Sequence, residues 1–83
     1  MRNQKLFYKV NNNPYDVRFN EICKLVEAFG FTHKGGKGSH RVYSQIGIRE
    51  ILNFQNVKGK VKPYQIKQFL KLIQEYNLKL KEE

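Results

Sequence analysis

The sequence predicts an α+β domain: two amphipathic helices on one face of a three-stranded antiparallel sheet, in the order helix, strand, strand, strand, helix. Three observations predict it. Apolar residues recur at three- and four-residue spacing in two stretches, near residues 17–29 and 63–76. Between those stretches lie short runs of strand-forming residues separated by glycine, the pattern of a meander rather than of crossovers. A chain of 83 residues supports one modest core and no second domain. Two apolar helix faces need a surface to bury against. Placing both on the same sheet face satisfies them and leaves the other face open.

The elements follow in order. Residues 1–16 read as an N-terminal extension or arm, in which Lys5 to Val10 is a short strand or a basic arm and the Asn11–Asn13 run before Pro14 is a loop. The domain proper spans 17–78. Phe19, Ile22, Val26 and Phe29 form the stripe of the first helix, with Cys23 and Leu25 beside it. Gly30 supplies the positive φ that commonly stops a helix. Phe31 to Lys34 is the first strand, Gly35 to Gly38 a turn, and Ser39 to Gln45 the second strand, with Val42 and Tyr43 as strand formers. The chain turns around Gly47, and Arg49 to Gln55 is the third strand. Residues 57–62, VKGKVK, form a basic loop. Pro63 suits the first turn of the last helix, where its missing N–H is no loss. Ile66, Phe69, Leu70, Ile73 and Tyr76 mark the buried face of that helix, and Gln65, Lys67, Lys71 and Glu75 the other. The tail, 79–83, frays.

Charge narrows the partner. Lysine and arginine number 16 against 7 acids, a net charge of +9 with both histidines neutral. Such an excess favours a polyanion, nucleic acid first, and the open sheet face is the natural RNA surface. An acidic protein is a second partner compatible with the same charge. No long apolar run or secretory segment points to a membrane, and the chain reads as cytoplasmic. Cys23 stands alone, so no internal disulfide forms; it reads as a small core side chain. No Cys/His cluster has zinc spacing, and no metal or other cofactor is expected.

The stretch HKGGKGSHRVY, His33 to Tyr43, is where chemistry would reside. Cleavage of RNA by its own 2′-OH needs a base for that hydroxyl, a proton for the leaving oxygen, and positive charge at phosphorus. A free imidazole, titrating near about 6.5, suits the first two tasks. Lysine and backbone N–H groups suit the third. Gly36, Lys37 and Gly38 offer both, Ser39 adjoins them, and Arg41 is a candidate phosphate clamp. Metal-dependent cleavage needs clustered carboxylates, yet Glu50 is the one acid between His33 and Lys62. Lys58, Lys60 and Lys62 extend the basic stretch toward a phosphate backbone without reading sequence. The plain alternative is a surface hairpin turn with a solvated histidine. His33 is either a second proton carrier across the hairpin or an exposed strand residue. Tyr43 and Tyr64 are either base-stacking side chains or tyrosines packed with the hydroxyl at the surface. Strand alternation sets His40 on one face with Val42 and Ser44, and Arg41, Tyr43 and Gln45 on the other.

From about Arg18 to Leu78 the chain resembles the HicA family of toxin–antitoxin systems. The resemblance rests on EAFGF at Glu27–Phe31, the ungapped GKGSH at Gly36–His40 continuing into RVY, and VKPYQIKQFLKLI from Val61 to Ile73. It implies a small fold like that of double-stranded-RNA-binding domains. It also implies a ribosome-independent mRNA interferase restrained by a HicB antitoxin, with the histidine of the G-S-H motif, here His40, as catalytic residue. Family members often carry a second histidine near the position of Asn56, a departure that leaves one proton-transfer role unfilled. The alternative of another class is a module that holds duplex RNA by shape without turnover. A third is a degenerate toxin kept as a protein-interaction domain.

Overall fold

The apolar stripe from Phe19 to Phe29 does wind into a helix. In the computed structural model, which describes residues 2–81, the elements are α1 Arg2–Asn12, α2 Phe19–Ala28, β1 Thr32–Gly35, β2 His40–Ser44, β3 Leu52–Gln55 and α3 Pro63–Glu75. Ile22, Cys23, Leu25 and Val26 of α2 are all buried. At its first turn, Glu21 Oε1 accepts the Arg18 N–H at 3.0 Å, and the Phe19 N–H donates to the Gly59 carbonyl at 2.9 Å. These satisfy donors that every helix start leaves open. The helix closes on Gly30, whose φ is +99°. The Gly30 N–H donates to Glu27 O at 3.0 Å and the Phe31 N–H to Val26 O at 3.1 Å, a paired closure that needs the left-handed residue between. Asn77, at φ +52°, does the same for α3, with the Leu78 N–H donating to Ile73 O at 3.0 Å.

The strands form one antiparallel sheet in the order β1-β2-β3. Tyr43, Leu52 and Phe54 point to one face and are fully buried against Ile22, Leu25 and Val26 of α2 and Ile66, Phe69 and Leu72 of α3. Each such side chain contributes about 1.5–3 kcal/mol when withdrawn from water, so this layer contact is the main source of stability. The opposite face carries Thr32, His40, Val42, Ser44, Asn53 and Gln55, none of them buried. The third strand is shorter than the sequence predicts, because Gln45 to Ile48 closes a turn around Gly47 (φ +92°) and the chain joins the ladder only at Leu52.

The two chain ends differ from expectation. Residues 2–12, read as a strand or arm, form α1, which packs on α2. Val10 is buried, the Phe7 ring meets Phe29 edge-on at 5.4 Å, and Lys9 Nζ lies 2.6 Å from Glu21 Oε2. The missed signal is the stripe Leu6, Phe7, Val10, which has helical spacing in a very polar segment. At the other end, Leu78 and Leu80 pack on the core and the Lys81 N–H donates to Ala28 O at 2.8 Å, so the chain does not fray at 79–81. The last two positions of the expected tail, Glu82 and Glu83, lie outside the described residues.

Candidate active site

The end of β1, the start of β2 and the end of β3 meet at one end of the sheet. The loop between β1 and β2 turns back through Lys37–His40, with the His40 N–H donating to Lys37 O at 3.0 Å and Gly38 at φ +59°. Gly36 lies directly over the next strand. A β-carbon there would stand 2.5 Å from the His40 carbonyl oxygen and 3.0 Å from the Arg41 Cα. Sequence alone assigns these glycines to a phosphate. At Gly36 the close approach is first to the protein's own backbone. The Ser39 carbonyl in turn accepts the Asn56 N–H at 2.7 Å, and the next pair in register is His40 with Gln55. His40 opens β2 and is exposed at the rim of the open face, with the Gly36 backbone against its carbonyl and the Asn56 N–H held by the residue before it.

Asn56 brings the basic loop to the same end. Its Oδ1 accepts the Gly59 N–H at 2.7 Å, and Val57 and Lys60 exchange backbone hydrogen bonds of 2.8 and 3.0 Å. Lys58 and Gly59 are the central residues of this tight turn, both at positive φ, 53° and 87°. Lys58 is exposed at the tip, and Lys62, the N-cap residue of α3, is exposed beyond it. Lys60 differs: its Nζ lies 2.7 Å from Asp16 Oδ1, and that ammonium holds the Asp16 carboxyl below its ordinary value. Lys60 therefore brings a neutralised charge rather than a free one to this surface.

Three predicted residues do not join His40. Arg41 faces the helices, as strand alternation requires. Its Nη1 donates to the Tyr43 hydroxyl at 3.2 Å and lies 3.9 Å from Glu27 Oε2, so it is no clamp beside His40. Tyr43 is fully buried and donates to Glu27 Oε2 at 2.7 Å, which rules out base stacking. Burial, with the Glu27 acceptor, pushes the Tyr43 phenol far above its ordinary value and keeps it a donor. His33 pairs in register with Tyr43, its ring 5.5 Å from the tyrosine ring, on the face opposite His40. A bulge between His33 and Gly35 shifts the register there, and the His33 Nε2 contacts Gly35 O at 2.9 Å. Of the two readings of His33, the structure shows the exposed strand residue, and its ring does not stand beside His40 as a second proton carrier would. Cys23 is buried, and burial pushes its thiol up, away from a reactive thiolate. Among the described residues no three His, Cys, Asp or Glu side chains gather at one point.

Gln65, expected on the solvent side of α3, lies on its buried side instead. It is 6% exposed, and its Oε1 accepts the Gln55 N–H at 3.1 Å. That N–H points off the edge of β3 and would otherwise lie half-buried without a partner in the sheet. The spacing to Phe69 and Leu72, four and seven residues on, sets Gln65 on the apolar stripe and was the available signal.

No helix among the described residues is long and apolar enough to cross a membrane. Comparison with curated proteins found no match, and comparison with solved structures found none. Residues 19–74 match the family profile described as "HicA toxin of bacterial toxin-antitoxin", a span that takes in α2, the sheet, the Gly36–His40 loop and nearly all of α3. With two-thirds of the chain matched and the motif in an ordered site, this chain belongs to the HicA family, the toxins of bacterial toxin–antitoxin systems.

Proposed function

We propose that the toxic activity is metal-independent cleavage of mRNA by the 2′-OH route, on a fold of the double-stranded-RNA-binding type, with His40 carrying the proton. The observation that supports this most is the setting of His40. It is exposed, adjoins the Gly36–Ser39 loop, and is fixed by its own backbone rather than by its side chain. A phosphate at this loop meets the Lys37 ammonium and the N–H groups of Gly36 and Gly38, with Lys58 and Lys62 binding the flanking backbone. The 2′-oxygen bonds to phosphorus as the bond to the 5′-oxygen breaks, leaving a 2′,3′-cyclic phosphate and a 5′-hydroxyl. His40 takes the 2′-OH proton, or gives one to the departing oxygen, or both in turn. With His33 on the opposite face, the other transfer passes through water.

RNA incubated with the purified protein in excess chelator tests this. Cleavage is expected with wild type and is expected to be lost with His40→Ala; cleavage that survives the substitution, or that stops with chelator alone, removes the mechanism. The presence of one histidine at the site keeps the duplex-binding module as a second reading. Salt-sensitive duplex binding with no cleavage in any buffer supports that reading instead. The antitoxin of the pair, of the HicB kind, is proposed to be acidic and to cover residues 34–41. A complex in which a small probe still reaches His40 contradicts that.

A further inference from the structure

Tyr64 is the first-turn tyrosine of α3, and the residue is 65% exposed. Other tyrosine hydroxyls of this chain tie separate elements together: Tyr43 to Glu27, Tyr76 to Glu50, and Tyr15 to Lys67. The Tyr64 hydroxyl has only a long contact, 3.5 Å, from the Nε2 of its neighbour Gln65. That contact nevertheless locates it. Gln65 holds the Gln55 N–H at the outer edge of β3, and Gln55 is the cross-strand partner of His40. Paired residues across two antiparallel strands hold their side chains about 5 Å apart. Tyr64 therefore lies just outside the strand that flanks His40. Lys62, the exposed N-cap residue of α3, adds a positive charge at the same end of the helix.

Resting on the nuclease reading of His40, we propose that Tyr64 is a stacking platform for an unpaired base next to the cleaved phosphate. An exposed aromatic ring at a helix end that also carries a cation suits a nucleotide, because a base can cover the ring while a phosphate of the same strand meets the positive charge. A duplex cannot offer such a base, so this platform would select single-stranded RNA. Among the exposed aromatics, Tyr8 and Tyr15 lie on α1 and the α1–α2 linker, and Tyr76 lies past the far end of α3. Tyr64 is the one linked to the His40 pair by hydrogen bonds.

The test uses the full chain carrying His40→Ala, so that the RNA is bound and not cut, with fluorescence anisotropy of a short labelled single-stranded RNA at fixed salt. Adding Tyr64→Ala is expected to weaken binding about 5- to 150-fold, the range of one base–aromatic stack. Adding Tyr64→Phe is expected to leave binding unchanged, since the ring remains. An abasic residue at the responsive position should cause the same loss and add nothing to Tyr64→Ala. Unchanged binding in the Tyr64→Ala protein, with Lys37→Ala still weakening it, overturns the platform and spares the nuclease. Equal weakening toward a duplex also overturns it. A parent protein that binds no RNA, together with a wild type that cuts none, overturns both readings.

Discussion

Gly36→Ala separates the backbone role of the glycine loop from its chemistry. The residue sits at φ +111°, where an L side chain is strained by about 1–3 kcal/mol. Its new methyl would also stand 2.5 Å from the His40 oxygen and 2.9 Å from the His40 carbonyl carbon, contacts that backbone must relieve at about 1–3 kcal/mol. Together these reach roughly 2–6 kcal/mol if the loop keeps its place. The loop has a less costly alternative. It is exposed, and lifting it off β2 gives up mainly the His40 N–H···Lys37 O bond, about 1 kcal/mol. The smaller cost wins, so Gly36→Ala should lower global stability by only about 1 kcal/mol while displacing Lys37 from His40. Gly38→Ala is the control. Its φ is +59° and no atom lies within 4 Å of the added carbon, so it costs about 1–2 kcal/mol with no displacement. Urea unfolding and the amide spectrum of both variants read the difference. The His40 amide should move far in Gly36→Ala and little in Gly38→Ala, and RNA cleavage should fall about 100-fold in the former alone, as for a misplacement near 1 Å. An unmoved His40 amide in Gly36→Ala would refute the packing argument.

Val10→Ala removes two methylene-sized groups from a residue 1% exposed, which costs about 2 kcal/mol in urea unfolding if α1 is an integral part of the core. A loss under about 0.5 kcal/mol would mean that α1 is a loose appendage. Tyr43→Phe deletes the donor to Glu27 but leaves the ring in place. Because Glu27 and Arg41 are half-exposed and take water instead, the cost is about 1 kcal/mol in thermal or urea melts. Glu21→Gln should flatten the acid limb of the stability curve. Burial raises the Glu21 carboxyl, but the Lys9 ammonium and the Arg18 N–H outweigh it and hold it below its ordinary 4.5. A depressed carboxyl stabilises the fold above its unfolded value and loses that contribution as pH falls through the folded one. Wild type should therefore lose more stability below about pH 4.5 than Glu21→Gln does, in unfolding followed against pH.

The helices that carry the core were legible because burial and periodicity coincide in them. Phe19 to Phe29 and Ile66 to Phe69 could bury one face only as helices, and Gly30 and Pro63 marked an end and a start through φ and a missing N–H. α1 was less legible because three apolar residues stand among asparagines and lysines, and its stability comes from Phe29, far along the chain. The site divided in the same way. Gly36 to His40 is local, so the loop was readable, and alternation alone put Arg41 on the far side of the strand from His40. Assigning Arg41 to the phosphate ran against that alternation. The position of His33 depends on the bulge before Gly35, which sequence does not announce, and the fate of Lys60 depends on Asp16, which approaches through the fold. Long-range pairing is what periodicity does not encode.

The proposed cleavage depends on His40 moving a proton for a neighbouring 2′-OH. The most direct measurement uses a DNA oligonucleotide carrying a single ribonucleotide at the cleavage position, in excess chelator, with initial rates for wild type, His33→Ala and His40→Ala. One cut is expected, 3′ of that ribonucleotide, ending in a cyclic phosphate. Similar rates are expected for wild type and His33→Ala, and a loss of about 100-fold or more for His40→Ala. Cutting of the all-DNA control, or equal rates in His40→Ala and wild type, would contradict the proposal.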